Sequence, residues 1–247
     1  MPKFFLLLSI CLLSFSILCH IVLADESLYS DDFSDGNLLN WEIIDFAEID
    51  PGRGPSDWVE ADGVLHQNAD IEGMGGAFAG KIEGAADDDP RVGTHAIAGD
   101  REWRNYTFSA DLFFRDDDFA GIVFRYQDEG NYYRFQLEED DEEYHIARMK
   151  DGFMTFLVAD EPLPEPINQQ EWVTISVDVR GNALKFFYQN QLVEIIMDSD
   201  LDHGSIGLMT SSCPTDFDNI KVDGEPAAVD ASGKLPVLWG RLKGLKY

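Results

Sequence analysis

The stretch Gly121 to Leu137, GIVFRYQDEGNYYRFQL, concentrates side chains suited to recognition. It reads as two strands joined by a turn at Gln127–Asn131. Successive side chains of a strand point to opposite faces. Ile122, Phe124, Tyr126, Tyr133, Phe135 and Leu137 are therefore expected on one face, and Arg125, Tyr132, Arg134 and Gln136 on the other. His145, on the next predicted strand, adds an imidazole to the second set. Planar Arg and Gln groups match hydroxyls in pairs, and an aromatic ring covers an apolar ring face. That combination fits an uncharged, hydroxyl-rich ligand. The plain alternative is a solvated outer face.

Carboxylates are the other abundant chemical group. The run Glu138-Glu139-Asp140-Asp141-Glu142-Glu143 has acids at alternate positions, which on a strand would share one face. The intervening residues are also acids, and none could be buried without a partner. The run is therefore expected to be a solvated turn, with no catalytic residue in it. Asp198-Ser-Asp200-Leu-Asp202-His-Gly204 misplaces the glycine of a calcium-binding loop and has Met209 where its last acid belongs, so it is expected to be a turn. A better set of hard oxygen ligands joins the chain ends: Asp32 and Asp35 near the first strand, Asp218 near the last, with Asp31 and Asp216 beside them. Asp87–Asp89 and Asp116–Asp118 are weaker sets. The cofactor expected there is a structural Ca2+ ion. No metalloprotease or Ser-His-Asp pattern is present. Of the lone histidines, His66 also falls on a predicted strand.

The net charge of −29 sets the class of partner. Such a chain repels phosphate backbones and anionic lipid, which argues against nucleic acid and favours neutral ligands and divalent cations. Residues 1–24 have one lysine, a long apolar run and small residues before Asp25, the pattern of a secretory signal peptide. Its removal takes Lys3 and leaves −30. The chain is expected to be secreted, extracellular or periplasmic, and to meet a membrane only if that segment is retained. Removal also leaves Cys213 as the single cysteine, so no disulfide braces the fold.

Strand signals run from Tyr29 to Val222. Trp172 to Val179 alternates Val173, Ile175, Val177 and Val179 with Thr174, Ser176 and Asp178, and Tyr106 to Leu112 does the same. Turn dipeptides such as Asp62-Gly63, Asp151-Gly152 and Gly181-Asn182 separate the strands. Many short strands at this spacing predict an all-β sandwich or jelly roll of two antiparallel sheets. One domain is expected over residues 25–224, followed by a linker and a short basic-aromatic tail at 225–247.

Three segments resemble the concanavalin A-like (laminin G-like) jelly-roll superfamily, in its secreted bacterial branch. They are DDFSDGNLLNW with SDWVEADGVL, the central GIVFRYQDEGNYYRFQL, and the closing run that contains GSIGLMTS and FDNIKV. The resemblance implies a face that binds saccharide, and often a structural calcium. It is weak for activity, because such folds host binders and enzymes alike. The reading favoured here is a secreted, non-catalytic, lectin-like module for extracellular or cell-surface glycans. The alternatives are a 3-keto-glycoside hydrolase or lyase, whose domains begin with a similar Phe…Trp…Asp-Gly-Val-Leu pattern, and a purely structural or adhesion module.

Overall fold

The computed structural model describes residues 26–46, 55–71, 82–83, 92–168 and 171–225. The expected signal peptide, the acids Asp87–Asp89 and the tail after residue 225 lie outside them. Among the described residues no helix is long and apolar enough to cross a membrane.

The strands form two sheets. The first is built from β1 (Glu26–Asp31), β3 (Trp58–Ala61), β4 (Val64–Gln67), β7 (Tyr106–Phe114), β12 (Val173–Arg180), β13 (Ala183–Tyr188), β14 (Gln191–Met197) and β16 (Thr215–Gly224). Its order is β14-β13-β12-β7-β16-β4-β3, with β1 also paired to β16. The second is built from β2 (Glu42–Asp45), β5 (Ile82–Glu83), β6 (Thr94–Ala98), β8 (Phe119–Asp128), β9 (Asn131–Glu138), β10 (Glu143–Lys150), β11 (Phe153–Pro162) and β15 (Ser205–Ser211). Its order is β2-β6-β15-β8-β9-β10-β11-β5. Every pairing is antiparallel except that of β5 with β11. The expected two-sheet sandwich is present.

The alternation that predicted the core places it. Val173, Ile175, Val177 and Val179 are buried, as are Tyr106, Phe108, Ala110 and Leu112 from the neighbouring β7. They face Ile122, Phe124, Phe135 and Leu137 of the second sheet in one cluster. Fully burying a large apolar side chain of this kind contributes about 1.5–3 kcal/mol. Cys213 is free and buried. Burial pushes its thiol up to about 12, so it packs as a small hydrophobe.

The second sheet departs from expectation. Its outer face is also buried, with Val123, Tyr126, Tyr132, Ala147, Met149, Met154 and Met209 packed under Phe46, Val92 and Ile97. β8 is accordingly buried on both faces along most of its length. The alternation also breaks inside it. Arg125 has φ +47, and pairing between β8 and β9 shifts register after Phe124. This bulge moves Tyr126 away from the core face that Ile122 and Phe124 share, onto the outer face with Tyr132.

Gly204 makes room for the bulge. It has φ +145, and a Cβ there would sit 2.2 Å from the Arg125 carbonyl carbon and 2.5 Å from the Tyr126 nitrogen. Gly204→Ala should cost about 3 kcal/mol, from backbone strain and overpacking together. Urea denaturation reads this directly, and an unchanged midpoint would show that the segment yields without cost.

Candidate functional site

The outer face of the second sheet collects most of the predicted ligand-binding residues. Tyr132, Arg134 and Gln136 lie on that side of β9, and β10 sets His145 opposite Gln136 and Ala147 opposite Arg134. Arg134 lies over the Phe156 ring at 5.4 Å. His145 lies beside Phe119, with ring centroids 5.6 Å apart. Four of the five predicted residues are therefore brought together.

Arg125 is not among them. The bulge turns its side chain towards the first sheet, where Nη1 donates to Leu201 O at 2.8 Å and Nη2 to Gly181 O at 2.6 Å. Nη2 also lies 3.3 Å from Arg104 O. Its backbone N–H donates to the Tyr106 hydroxyl at 2.8 Å. Strict alternation, which put Arg125 beside Arg134, fails because a bulge adds a residue to one strand only. His66 is likewise elsewhere, on β4 of the first sheet, with Nδ1 2.7 Å from Asp216.

The acidic run needs correction as well. Glu139–Glu142 form the expected turn between β9 and β10. Its two ends do not belong to the turn. Glu138 closes β9 and Glu143 opens β10, directly opposite each other. Both point to the same face as His145. Ligand atoms of Glu138, Glu143 and His145 lie within 4.8 Å of one another, the only such trio found among the described residues. His145 Nε2 is 3.1 Å from Glu138 Oε2, and the Asp160 backbone N–H approaches Nδ1 at 3.4 Å. This network fits a ring protonated at Nε2 that donates to Glu138. Burial raises the Glu143 carboxyl above the usual range, and nearby Asp160 adds to the effect. The trio could hold a divalent cation. It is also a carboxylate pair whose members differ in environment, the arrangement that acid–base chemistry uses. The signal missed in the sequence was that strand ends, unlike turns, share a face with the residues two places along.

The inner part of the face holds a histidine that sequence reasoning passed over. His95 is fully buried on β6, between Phe46 at 4.7 Å and Tyr132 at 5.3 Å. β6 and β9 are separated by β15 and β8, so three ladder steps, roughly 14 Å, lie between their backbones. The two rings nonetheless meet across these strands. Burial, then the charge of Arg134, pulls His95 down to about 3, against a weaker upward effect from the Val92 backbone.

The predicted calcium ligands sit with the first sheet, Asp32 and Asp35 just after β1 and Asp218 on β16. Asp32 and Asp35 line a surface depression with Ser27, Ser30, Asn219 and Lys221. Each carboxylate also accepts from a backbone N–H two residues on, Ser34 and Asn37 respectively. Asp218 accepts from Asn219 N at 2.6 Å, and its carboxyl is raised by burial, then by Asp111 and Asp32. Asp31 is occupied by Trp41 Nε1 and Phe33 N, and Asp216 by Arg115 and His66.

Asp198 and Asp200 lie in an irregular connection from β14 to β15 and not in the expected turn, pinned by Arg148 and Lys150. The Asp198 carboxyl is opposed by burial, yet hydrogen bonds from Tyr133 and Asp200 N and the charge of Arg148 hold it below the usual range. A depressed carboxyl stabilises the fold above the unfolded-state value, about 3.9, and that contribution is lost as pH falls through the folded-state value. The melting temperature should therefore fall as pH drops below about 4. Asp198→Asn should flatten that acid limb, and an unchanged limb would assign the acid sensitivity elsewhere.

The profile of the 3-keto-alpha-glucoside-1,2-lyase-like domain matches residues 30–223. The chain belongs to this family. The 3-keto-alpha-glucoside-1,2-lyase-like domain takes up nearly all of the described sandwich. No curated protein sequence matches the chain. Among solved structures, it is similar to the carbohydrate-binding module CBM66 from Bacillus subtilis, at 13% identity and a TM-score of 0.54, covering 76% of this chain and 98% of that one. It is similar to a glycoside hydrolase family 43 protein, BlXynB, from Bacillus licheniformis, at 15% identity and a TM-score of 0.53, covering 79% and 39%. It is also similar to a GlcNAcα1-4Gal-releasing endo-β-galactosidase from Clostridium perfringens, at 13% identity and a TM-score of 0.51, covering 83% and 64%. At these identities the likeness speaks for the fold.

Proposed function

We propose that this domain acts on the keto-sugar class named by its family, by elimination across C1 and C2 of a 3-keto-glycoside. The observation that carries the reading is the convergence of Glu138, Glu143 and His145 beside Gln136 and Arg134 on one face. A ketone at C3 acidifies the C2 proton, so a correctly placed carboxylate suffices as the base. Glu138, oriented by His145, takes that proton. The C2–H electron pair moves into an enolate, which expels the C1 oxygen and forms the C1=C2 bond. Glu143, whose raised carboxyl retains its proton to higher pH than an ordinary glutamate, protonates the departing alcohol. The products are an alcohol and a hydroxy-enone, and no external oxidant or reductant is consumed.

A secretory leader at residues 1–24, expected from its lysine and apolar run, would accord with work outside the cytoplasm. The acidic surface suits an uncharged saccharide there. A structural Ca2+ at Asp32, Asp35 and Asp218 remains part of the proposal. The test is incubation of residues 25–247 with methyl 3-keto-α-glucoside, following ultraviolet absorbance of the enone and release of methanol. Time-dependent product supports the lyase. Binding without product would return the domain to the lectin-like reading.

A further inference from the structure

Buried polar groups in folded proteins nearly always have hydrogen-bond partners, so a cluster that lacks them calls for an explanation. On the outer face of the second sheet, the Tyr132 hydroxyl and the Gln136 Oε1 atom are buried and make no hydrogen bond, and the buried His95 ring makes none of good geometry, only a weak approach to the Val92 backbone. The three residues are between 0 and 2% exposed. Two of the three touch, and the third lies farther along the same face. The His95 and Tyr132 rings meet edge to face at 5.3 Å, and Tyr132 and Gln136 lie on the same side of β9. Tyr126 stacks on Tyr132 at 5.9 Å and extends the aromatic wall. The face emerges towards solvent where Glu138 and Glu143 are partly exposed.

We infer that His95, Tyr132 and Gln136 are the sugar-selecting groups of this face, which bond the hydroxyl and keto oxygens of an uncharged hexose ring. The inference rests on the proposed action at Glu138 and Glu143, and adds to it the residues that seat the ring. Their chemistry fits. A neutral imidazole offers one N–H and one lone pair, a phenol offers both roles, and Gln136 Oε1 accepts, which together complement a row of sugar hydroxyls. His95 remains uncharged at any ordinary pH, because burial and the nearby Arg134 hold its pKa near 3. It therefore selects by hydrogen bonding and not by charge.

A group that awaits a ligand weakens the fold it sits in, whereas a group with a protein or water partner strengthens it. Tyr132→Phe and Gln136→Met keep the shape and remove only the polar atoms. The experiment measures melting temperature and calorimetric binding of methyl 3-keto-α-glucoside for each variant in the Glu138→Gln protein, which leaves the ligand intact. Both variants should melt at or above the parent temperature and bind about tenfold more weakly. His95→Phe should show the same pairing. Unchanged affinity in the three variants would overturn the inference. A marked fall in melting temperature for Tyr132→Phe would overturn it too, by showing that the hydroxyl has a structural partner. A parent protein that binds the sugar but releases no product refutes the lyase and leaves this inference standing.

Discussion

Arg125→Ala should unfold much of the population, whereas Arg134→Ala should leave a folded protein with an impaired face. The two arginines look equivalent in the sequence and sit nine residues apart on one hairpin. Arg125 is 0% exposed and ties together three connections between strands through the carbonyls of Leu201, Gly181 and Arg104. Burial alone pulls its pKa down, and Tyr106, Tyr133, Asp202 and Asp198 pull it back, so the charge is held by surroundings built for it. Truncation would leave the buried carbonyls unpaired and a cavity between the sheets. Losing a partner of a buried charged network costs about 3–5 kcal/mol. Total stability is about 5–15 kcal/mol, so this is a large share. Guanidinium denaturation of both variants decides it. If Arg125→Ala unfolds with the wild-type midpoint but loses sugar binding, the bulge is misassigned and Arg125 belongs to the ligand face.

The contrast shows what the sequence made legible. The two-sheet architecture followed from period-2 alternation, because an apolar face must find a second sheet to bury against. Core positions in β7 and β12 could be named one by one for the same reason. Arg125 could not, because a bulge has no reliable signature in a run without glycine or proline at the shift, and one inserted residue exchanges the faces of all that follow. Tyr126 was misplaced by the same event. Glu138 and Glu143 were hidden differently. Six consecutive acids read as one solvated unit, yet only the middle four occupy the turn, and the outer two inherit the orientation of their strands. His95 lay in Thr94–Ala98, a strand buried along its whole length, where a lone histidine carries no pattern. Its environment comes from Phe46, Tyr132 and Arg134, which are distant in sequence and meet only across the assembled sheet.

Glu138→Gln should reduce turnover of the keto-sugar by about 10²–10⁴-fold while the melting temperature changes little. The carboxamide keeps the shape and still accepts from His145 Nε2, but cannot take a proton. Loss should therefore fall on kcat, with ligand affinity largely kept. Glu143→Gln makes the complementary prediction through pH. A general acid must hold its proton, and burial with Asp160 raises this carboxyl above the ordinary glutamate value. Wild-type activity should accordingly fall on the alkaline side as Glu143 loses that proton. Glu143→Gln should lower the rate and erase the alkaline limb. His145→Ala should lower the rate less than Glu138→Gln, because it removes the group that orients the base and leaves the base itself. If Glu138→Gln turns over normally and removal of divalent cations abolishes activity instead, the trio is a metal site and the proton must go to another group. If neither change affects turnover, the chemistry lies off this face.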